Sequence, residues 1–347
     1  MPTSEQEEIA RAAADLVAQQ LPTSELRART DEPDAVSSKA WQACAEMGLL
    51  ALGLPAAVGG AGCAAVEETL LFRELGRHVA PGPFLSTVLG GHLALAAGDA
   101  ELAGRIAAGS VRVAYLEPAR GQDGMRGQRP DVAPEEFSGD AQLRDWAGAE
   151  LALLLSPVGA GLVSVEALGE IKPCVSIDPG VRIAEVRAER APLRAWAPTG
   201  QRDLHTLGLL LVAAQLVGIA QACRDMSVHH AKTREQFGRP IGVNQAIKHR
   251  CADMALAAER ADAQLLFAAA SYDAARADTE FQVRSAKLAA ADAARSNAAS
   301  NVQVHGGMGW TSEFDAHLFV ERAEVLENTL ATRTESLAVV LDLPAPQ

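Results

Sequence analysis

Apolar positions recur along this chain with two different periods, and the changeovers divide it into three zones. The first zone is helical. Ser4 precedes Glu7 at capping-box spacing and an alanine-rich stretch follows, which predicts a helix from the start of the chain. Trp41, Cys44, Ala45 and Gly48 share one face of a second helix, predicted to stop at Gly53-Leu54-Pro55. Gly59, Gly60 and Gly62 form a loop, and Glu67 to His78 reads as the next helix, with Glu67 and Glu68 on a solvated face. Pro81 and Pro83 predict a rigid bend that inserts Phe84 and Leu85 as an apolar anchor.

The second zone alternates. Val111, Val113 and Tyr115 are interleaved with Arg112 and Ala114. Leu151 to Leu155 is a short apolar run, and Pro157 to Gly161 is a turn before Leu162 to Val165. Val181, Ile183 and Val186 form a strand with a slip in its alternation. These are strand signals between turn residues, so a small β domain is predicted, with Arg120 to Pro134 as an exposed loop. The third zone returns to helix. Leu207, Leu210, Leu211, Ala214, Val217, Gly218 and Gln221 trace one stripe, and alanine-rich segments follow at Lys248 to Ala275 and Thr279 to Val304. With a last C-terminal helix they predict an antiparallel bundle. The expected fold is mainly α with a small central β domain, divided into 1–109 (helical), 110–198 (β) and 199–347 (helical bundle).

Composition narrows the function. The net charge of −13 argues against nucleic acid as a partner, because phosphate backbones need a basic face. The five cysteines form no CxxC pair and read as reduced thiols, mostly buried, rather than a disulfide framework. The acidic N-terminus has no signal-peptide pattern. The longest apolar candidate, Leu207 to Ala222, is interrupted by Gln215, Gly218 and Gln221, so no membrane span is expected. A soluble cytoplasmic protein is the expectation. His229 and His230 are adjacent and point to different helix faces, so no metal site is predicted there.

Two segments of the third zone carry candidate chemistry. In Arg234-Glu235-Gln236-Phe237-Gly238-Arg239-Pro240-Ile241 a helix breaks and another begins, with Gln245 shortly after. Arg234 suits a diphosphate, since a guanidinium pairs bidentately with phosphate oxygens, and Gln245 offers a donor and an acceptor to an adenosine edge or ribose. The plain alternative is a helix–loop–helix corner with a surface arginine. In Gln303-Val304-His305-Gly306-Gly307-Met308-Gly309-Trp310, glycines end a long helix and let backbone N–H groups approach a phosphate. A glycine C-cap followed by a turn would look the same.

Taken together and in this order, the segments resemble the acyl-CoA dehydrogenase family. Its C-terminal bundle carries R-x-x-F-G-x-x-[IL], a following Gln, and Q-x-x-G-G-x-G at a helix end; here these are Arg234 to Ile241, Gln245, and Gln303 to Gly309. Trp41 to Gly60, Glu74 to Arg77 and Ala80 to Leu85 are similar to the family's N-terminal segments. The resemblance implies an N-terminal helical domain, a central β domain and a C-terminal four-helix bundle. It also implies FAD shared across a subunit interface, an acyl-CoA substrate and an electron-transfer flavoprotein as acceptor. Arg234, Phe237, Gln245, Gln303, Gly306 and Gly307 would then hold the ADP half of an FAD lodged mainly in a partner.

The sequence also departs from the family. A glutamate abstracts the α-proton in these enzymes, at one of two positions. The counterparts here are Leu330 and Gly208; the nearest carboxylates are Glu327 and Asp203. Tyr115 to Pro118 echoes the strand before the flavin loop, but its Gly-Ser-Asp continuation is replaced by Ala119 to Gly127, and Trp146 and Trp196 are poorly placed to cover a flavin. No catalytic residue is therefore assigned. The pattern is similar to the short subunit of bacterial α2β2 acyl-CoA dehydrogenases that shorten steroid side chains, and Glu313 to Glu327 looks like those subunits. That resemblance implies a longer homologous partner carrying the base. The alternatives are a self-sufficient homomeric enzyme using Glu327 and a non-catalytic scaffold subunit. Trp310 is expected to pack at a subunit interface or in the core.

Overall fold

The computed structural model describes residues 3–119, 135–200 and 203–344. Helices come first: α1 (Ser4–Gln20), α2 (Thr23–Ala28), α3 (Ser38–Glu46), α4 (Ala65–Arg77), α5 (Phe84–Ala96) and α6 (Ala100–Ala107). Six strands follow: β1 (Val113–Pro118), β2 (Glu136–Arg144), β3 (Leu151–Ser156), β4 (Gly159–Ser164), β5 (Lys172–Cys174) and β6 (Ile183–Pro198). Then come α7 (Leu204–Thr233), a short hairpin of β7 (Glu235–Gln236) and β8 (Arg239–Pro240), and α8 (Gln245–Asp273), α9 (Thr279–His305), α10 (Ala316–Glu327) and α11 (Arg333–Asp342). The fold is that of a mainly helical protein with a small central β unit, as the periodicities predict. The loop expected over Arg120 to Pro134 lies outside the described residues.

The chain forms two compact units, one of residues 1–18, 69–80 and 209–347, the other of residues 19–68 and 81–208. In the first, α9 is packed by α8, α10 and α11. The C-terminal part of α4 lies against α7 so closely that a Cβ on Gly76 would fall 2.0 Å from the Gln215 carbonyl oxygen, and one on Gly218 2.0 Å from that of Arg73. Glycine at both places is what lets the backbones touch. Polar groups then lock the crossing: Arg73 pairs with Asp262 at 3.0 Å and Arg77 with Asp225 at 2.8 Å. Asn297 of α9 donates to the carbonyls of Ala220 and Met254, both at 2.9 Å, tying α7, α8 and α9 at one level.

In the second unit the sheet runs β2-β1-β3-β4-β6-β5, and β2 also pairs with β6, which closes five strands into a barrel with β5 on its outside. β1 and β3 are parallel; the other neighbours are antiparallel. Leu116, Phe137, Leu143, Leu154, Val163 and Val186 fill the interior. Helix α5 is buried along most of its length. It meets β1 through Ser86, whose hydroxyl donates to the Val113 carbonyl at 2.5 Å, and through Gly90, where a Cβ would lie 3.0 Å from the Val113 side chain. Phe84 is the predicted anchor, 5.3 Å centroid to centroid from Trp41, whose indole N–H donates to the Gly109 carbonyl.

Several local expectations need correction. The capping pair of α1 is Thr3 with Gln6, not Ser4 with Glu7: Gln6 N donates to Thr3 Oγ1 at 3.3 Å, and Thr3 N to Gln6 Oε1 at 2.9 Å. Helix α3 ends at Glu46, well before Gly53, because Gly48 turns left-handed (φ 78°). Strand β2 was not anticipated; its burial alternates through Phe137, Ala141 and Leu143, and a bulge between Phe137 and Gly139 shifts its pairing with β6. Glu68 is not solvated but 1% exposed. Helix α7 is long and apolar enough to cross a membrane by length and composition, against the sequence expectation, yet its apolar window is wholly buried within the protein. Leu209 to Ala214 are inaccessible on every face, so its upper part is a central helix rather than a one-sided stripe.

Candidate nucleotide-binding site

At the end of α7 the backbone leaves the helix as a tight hairpin. Arg234 N donates to the His230 carbonyl at 2.8 Å, and the Arg234 carbonyl accepts from Ile241 N at 2.9 Å. The reversal is made by Phe237 and Gly238, both left-handed (φ 54° and 75°), the combination two-residue hairpins require. Glycine tolerates this freely; a phenylalanine there costs on the order of 1 kcal/mol. Phe237 recovers none of it by packing, being 100% exposed. Behind the hairpin, Gly242 approaches the end of α7, and a Cβ on it would lie 2.7 Å from the Ala231 carbonyl oxygen. Arg234 and Gln245 are exposed, and Arg234 forms no ion pair among the described residues.

The second predicted segment ends α9. Gly306 caps it with φ 64° and ψ −143°, a conformation reserved for glycine, and a short 3-10 turn runs from Gly306 to Trp310. A Cβ on Gly306 or Gly307 would meet nothing, so both open to free space. Gly309 is different: a Cβ there would sit 2.8 Å from the Val302 carbonyl oxygen, so it packs the turn against its own helix. Gln303 is exposed one turn earlier, and Trp310 is 69% exposed, on the surface rather than in the core.

The two segments are brought together by residues that the sequence reading did not assign to the site. His230, one turn before Arg234, stacks on His305, the residue before Gly306, with centroids 4.1 Å apart. Phe314 stacks on His305 at 4.6 Å. Deeper in the bundle, Ser227 of α7 donates to Asn301 of α9 at 2.9 Å. The tips of α7 and α9 are thus joined, with Arg234 one turn after His230 and Gly306 directly after His305. A guanidinium without an ion pair and a turn with open backbone can each bind an anionic phosphate.

Comparison with known proteins fixes the lineage. The acyl-CoA dehydrogenase N-terminal domain model matches residues 3–111, and the acyl-CoA dehydrogenase C-terminal domain model matches residues 206–329. The acyl-CoA dehydrogenase IpdE2 of Mycobacterium tuberculosis is 30% identical over 97% of this chain and 96% of its own. The chain belongs to the acyl-CoA dehydrogenase family. Its fold is shared by the Tcur3481-Tcur3483 steroid ACAD (TM-score 0.86, 24% identity, 97% of each chain). The ChsE4-ChsE5 complex from Mycobacterium tuberculosis shares it too (TM-score 0.85, 21% identity, 99% of each chain). The protein is an oxidoreductase of this flavoprotein family.

Within an acyl-CoA dehydrogenase, the next question is the base. At the first candidate place, Gly208 lies buried on α7. Asp203 is engaged as a helix cap: one oxygen accepts from His205 N and Thr206 N at 2.9 and 3.2 Å, the other from the Thr206 hydroxyl at 2.5 Å. At the second place, Leu330 is left-handed (φ 66°) in the bend after α10. Glu327 is 11% exposed at its side chain and faces Arg295 at 3.7 Å. The bend is closed from below by Lys287, whose ammonium donates to the carbonyls of Glu327 (3.0 Å), Thr329 (2.9 Å) and Ala331. Both carboxylates have structural employment.

The β unit places its tryptophans on its own packing. Trp146 leans on the barrel core, and Trp196 lies across Gly159 and Gly161 of β4. Tyr115 is buried under Arg144, which pairs with Glu117; burial pushes the phenol well above its ordinary range. The replacement for the family's flavin loop, Ala119 to Gly127, lies almost wholly outside the described residues. All five cysteines are free thiols; Cys44 and Cys223 are buried, and Cys174 is exposed. One further ionisable pair was invisible in the sequence: Glu68 and His92, 2.7 Å apart and both buried, where a Cβ on Gly53 would collide with the carboxylate at 2.4 Å.

Proposed function

We propose that this chain is the base-lacking subunit of a heteromeric, FAD-dependent acyl-CoA dehydrogenase. In this reading it completes the ADP half of the FAD site while a longer homologous subunit, in an α2β2 assembly, supplies the catalytic glutamate. The observation that carries the reading is the contrast within one helical unit: a nucleotide grip left open, and no carboxylate left free at either place where the family keeps its base. The residues fit the group. Arg234 offers a bidentate donor with no ion pair among the described residues, Gly306 and Gly307 leave room for a diphosphate against the backbone, and Gln245 and Gln303 are exposed. Phe237 projects from the hairpin as an apolar surface for the nucleotide or the partner.

When bound, FAD would supply the acceptor for the β-hydride. This chain's part is to hold the nucleotide tail. The likeness to the ChsE4-ChsE5 complex and to a steroid ACAD supports a heteromeric assembly and a steroid side-chain CoA thioester as substrate. An electron-transfer flavoprotein is the proposed acceptor, and the cytoplasm the proposed site of action.

Co-expression with a longer dehydrogenase relative tests the assembly. The expected product is a yellow heterotetramer with about one FAD per heterodimer, while the chain alone purifies flavin-poor and inactive. A yellow homomer of this chain that reduces an electron acceptor with acyl-CoA would overturn the reading in favour of the homomeric one. A complex whose flavin content ignores Arg234→Ala would favour a scaffold role.

A further inference from the structure

The joint between the two loops consists of titratable rings that phosphate binding by itself does not need. His230 and His305 stack with centroids 4.1 Å apart and planes at 34°. His305 Nδ1 donates to the Asn301 carbonyl at 2.8 Å, which leaves Nε2 as the acceptor of a neutral imidazole. No other ring stacking links the Arg234 hairpin to the Gly306-Gly307 turn among the described residues.

We infer that His230 and His305 are positioning residues: as a neutral stacked pair they set the spacing between the Arg234 hairpin and the Gly306-Gly307 turn, and breaking the stack uncouples the two halves of the nucleotide grip. This rests on the reading of those loops as a nucleotide site. The surroundings keep the pair neutral. Burial lowers the pKa of both rings below the ordinary 6.5, and the positive charges of His305, Arg234 and His229 lower that of His230 further. From α9, His305 meets the Asn301 carbonyl; from the segment before α10 it meets Phe314. The neighbours of Phe314, Glu313 and Asp315, are not among the groups acting on either ring in the described residues. A proton on His230 therefore sets a cation beside Arg234, His229 and His305, while at His305 burial outweighs the Asn301 carbonyl, which raises its pKa.

The sign follows from linkage. Both folded values lie below the unfolded one, so the unfolded chain binds more protons in that interval. The stabilisation from the neutral pair is complete above 6.5 and is lost as pH falls through the folded values.

The test titrates the co-expressed complex, stripped of its flavin, with FAD, following flavin fluorescence at about pH 7.5 and about pH 5.5. The diphosphate of FAD has no titrating proton in that range. Wild type is expected to lose about tenfold in affinity on acidification. His305→Phe keeps ring on ring without the titrating group; it is expected to bind within about threefold of wild type at the higher pH and to lose the acid effect. His305→Ala is expected to weaken binding about tenfold at the higher pH. Wild type and His305→Phe showing the same pH profile would overturn the inference, and that pair decides alone if His305→Ala does not fold. Arg234→Ala separates the two levels. Should it leave FAD affinity unchanged, or should wild type bind no FAD, the site reading fails and this inference with it; should it weaken binding while the histidine variants do not, only the positioning role fails.

Discussion

Two left-handed residues in the same helical unit have opposite surroundings. Leu330, in the bend after α10, is flanked by Thr329 and Ala331, whose carbonyls are both held by the buried ammonium of Lys287. Phe237, at the tip of the β7–β8 hairpin, has its whole side chain in solvent. Backbone strain persists only where something holds it. At Leu330 the chain itself supplies the holding groups. At Phe237 it supplies only the turn. The lesson is that the bend where the family can keep a base is closed on itself, whereas the hairpin is finished only when something else is bound.

Breaking the closed region has the largest expected effect. Lys287→Met leaves three carbonyls of the bend without their shared donor, and the loss of stability in urea unfolding is expected at about 3 kcal/mol. Next comes the open region. Arg234→Ala is expected to change stability by less than about 0.5 kcal/mol while weakening FAD binding by about 2 kcal/mol, read by calorimetry on the complex. Equal losses in stability and binding would erase the contrast. The smallest and sharpest change is Phe237→Gly. Relief of the left-handed conformation offsets the added freedom of the unfolded chain, so the melting temperature is expected to hold or rise slightly, within about 1 kcal/mol, while FAD affinity falls. A clear drop in melting temperature would mean that the exposed ring is packed in a way the fold does not show.

What was legible in the sequence follows the same division. Arg234, Gln245, Gln303 and the Gly306-Gly307 pair were singled out through the family resemblance, since residue chemistry alone left a plain helix corner and a glycine cap open. Helix α9 was readable because its alanine spacing is long and regular. Strand β2 alternates, with Phe137, Ala141 and Leu143 buried on one face, but went unread because Gly139 and the small Ala141 weaken the apolar signal between them. The end of α3 was misread because Leu49 and Leu50 continue an apolar pattern after Gly48 has already turned the chain. Glu68 looked solvated because its partner, His92, is 24 residues away and on another helix. The His230–His305 stack joins positions 75 residues apart (305 − 230), and no local pattern announces such a pair.

The central claim is that this chain grips a nucleotide and supplies no base, and the dehydrogenation rate of the co-purified complex carrying Glu327→Gln tests it most directly. The pairing with Arg295 is long, at 3.7 Å, and half exposed on the arginine side, so about 0.5 kcal/mol of stability is at stake. The account predicts an acyl-CoA turnover equal to that of the unsubstituted complex. Abolished turnover, with flavin content and assembly intact, would contradict it and make Glu327 the proton acceptor.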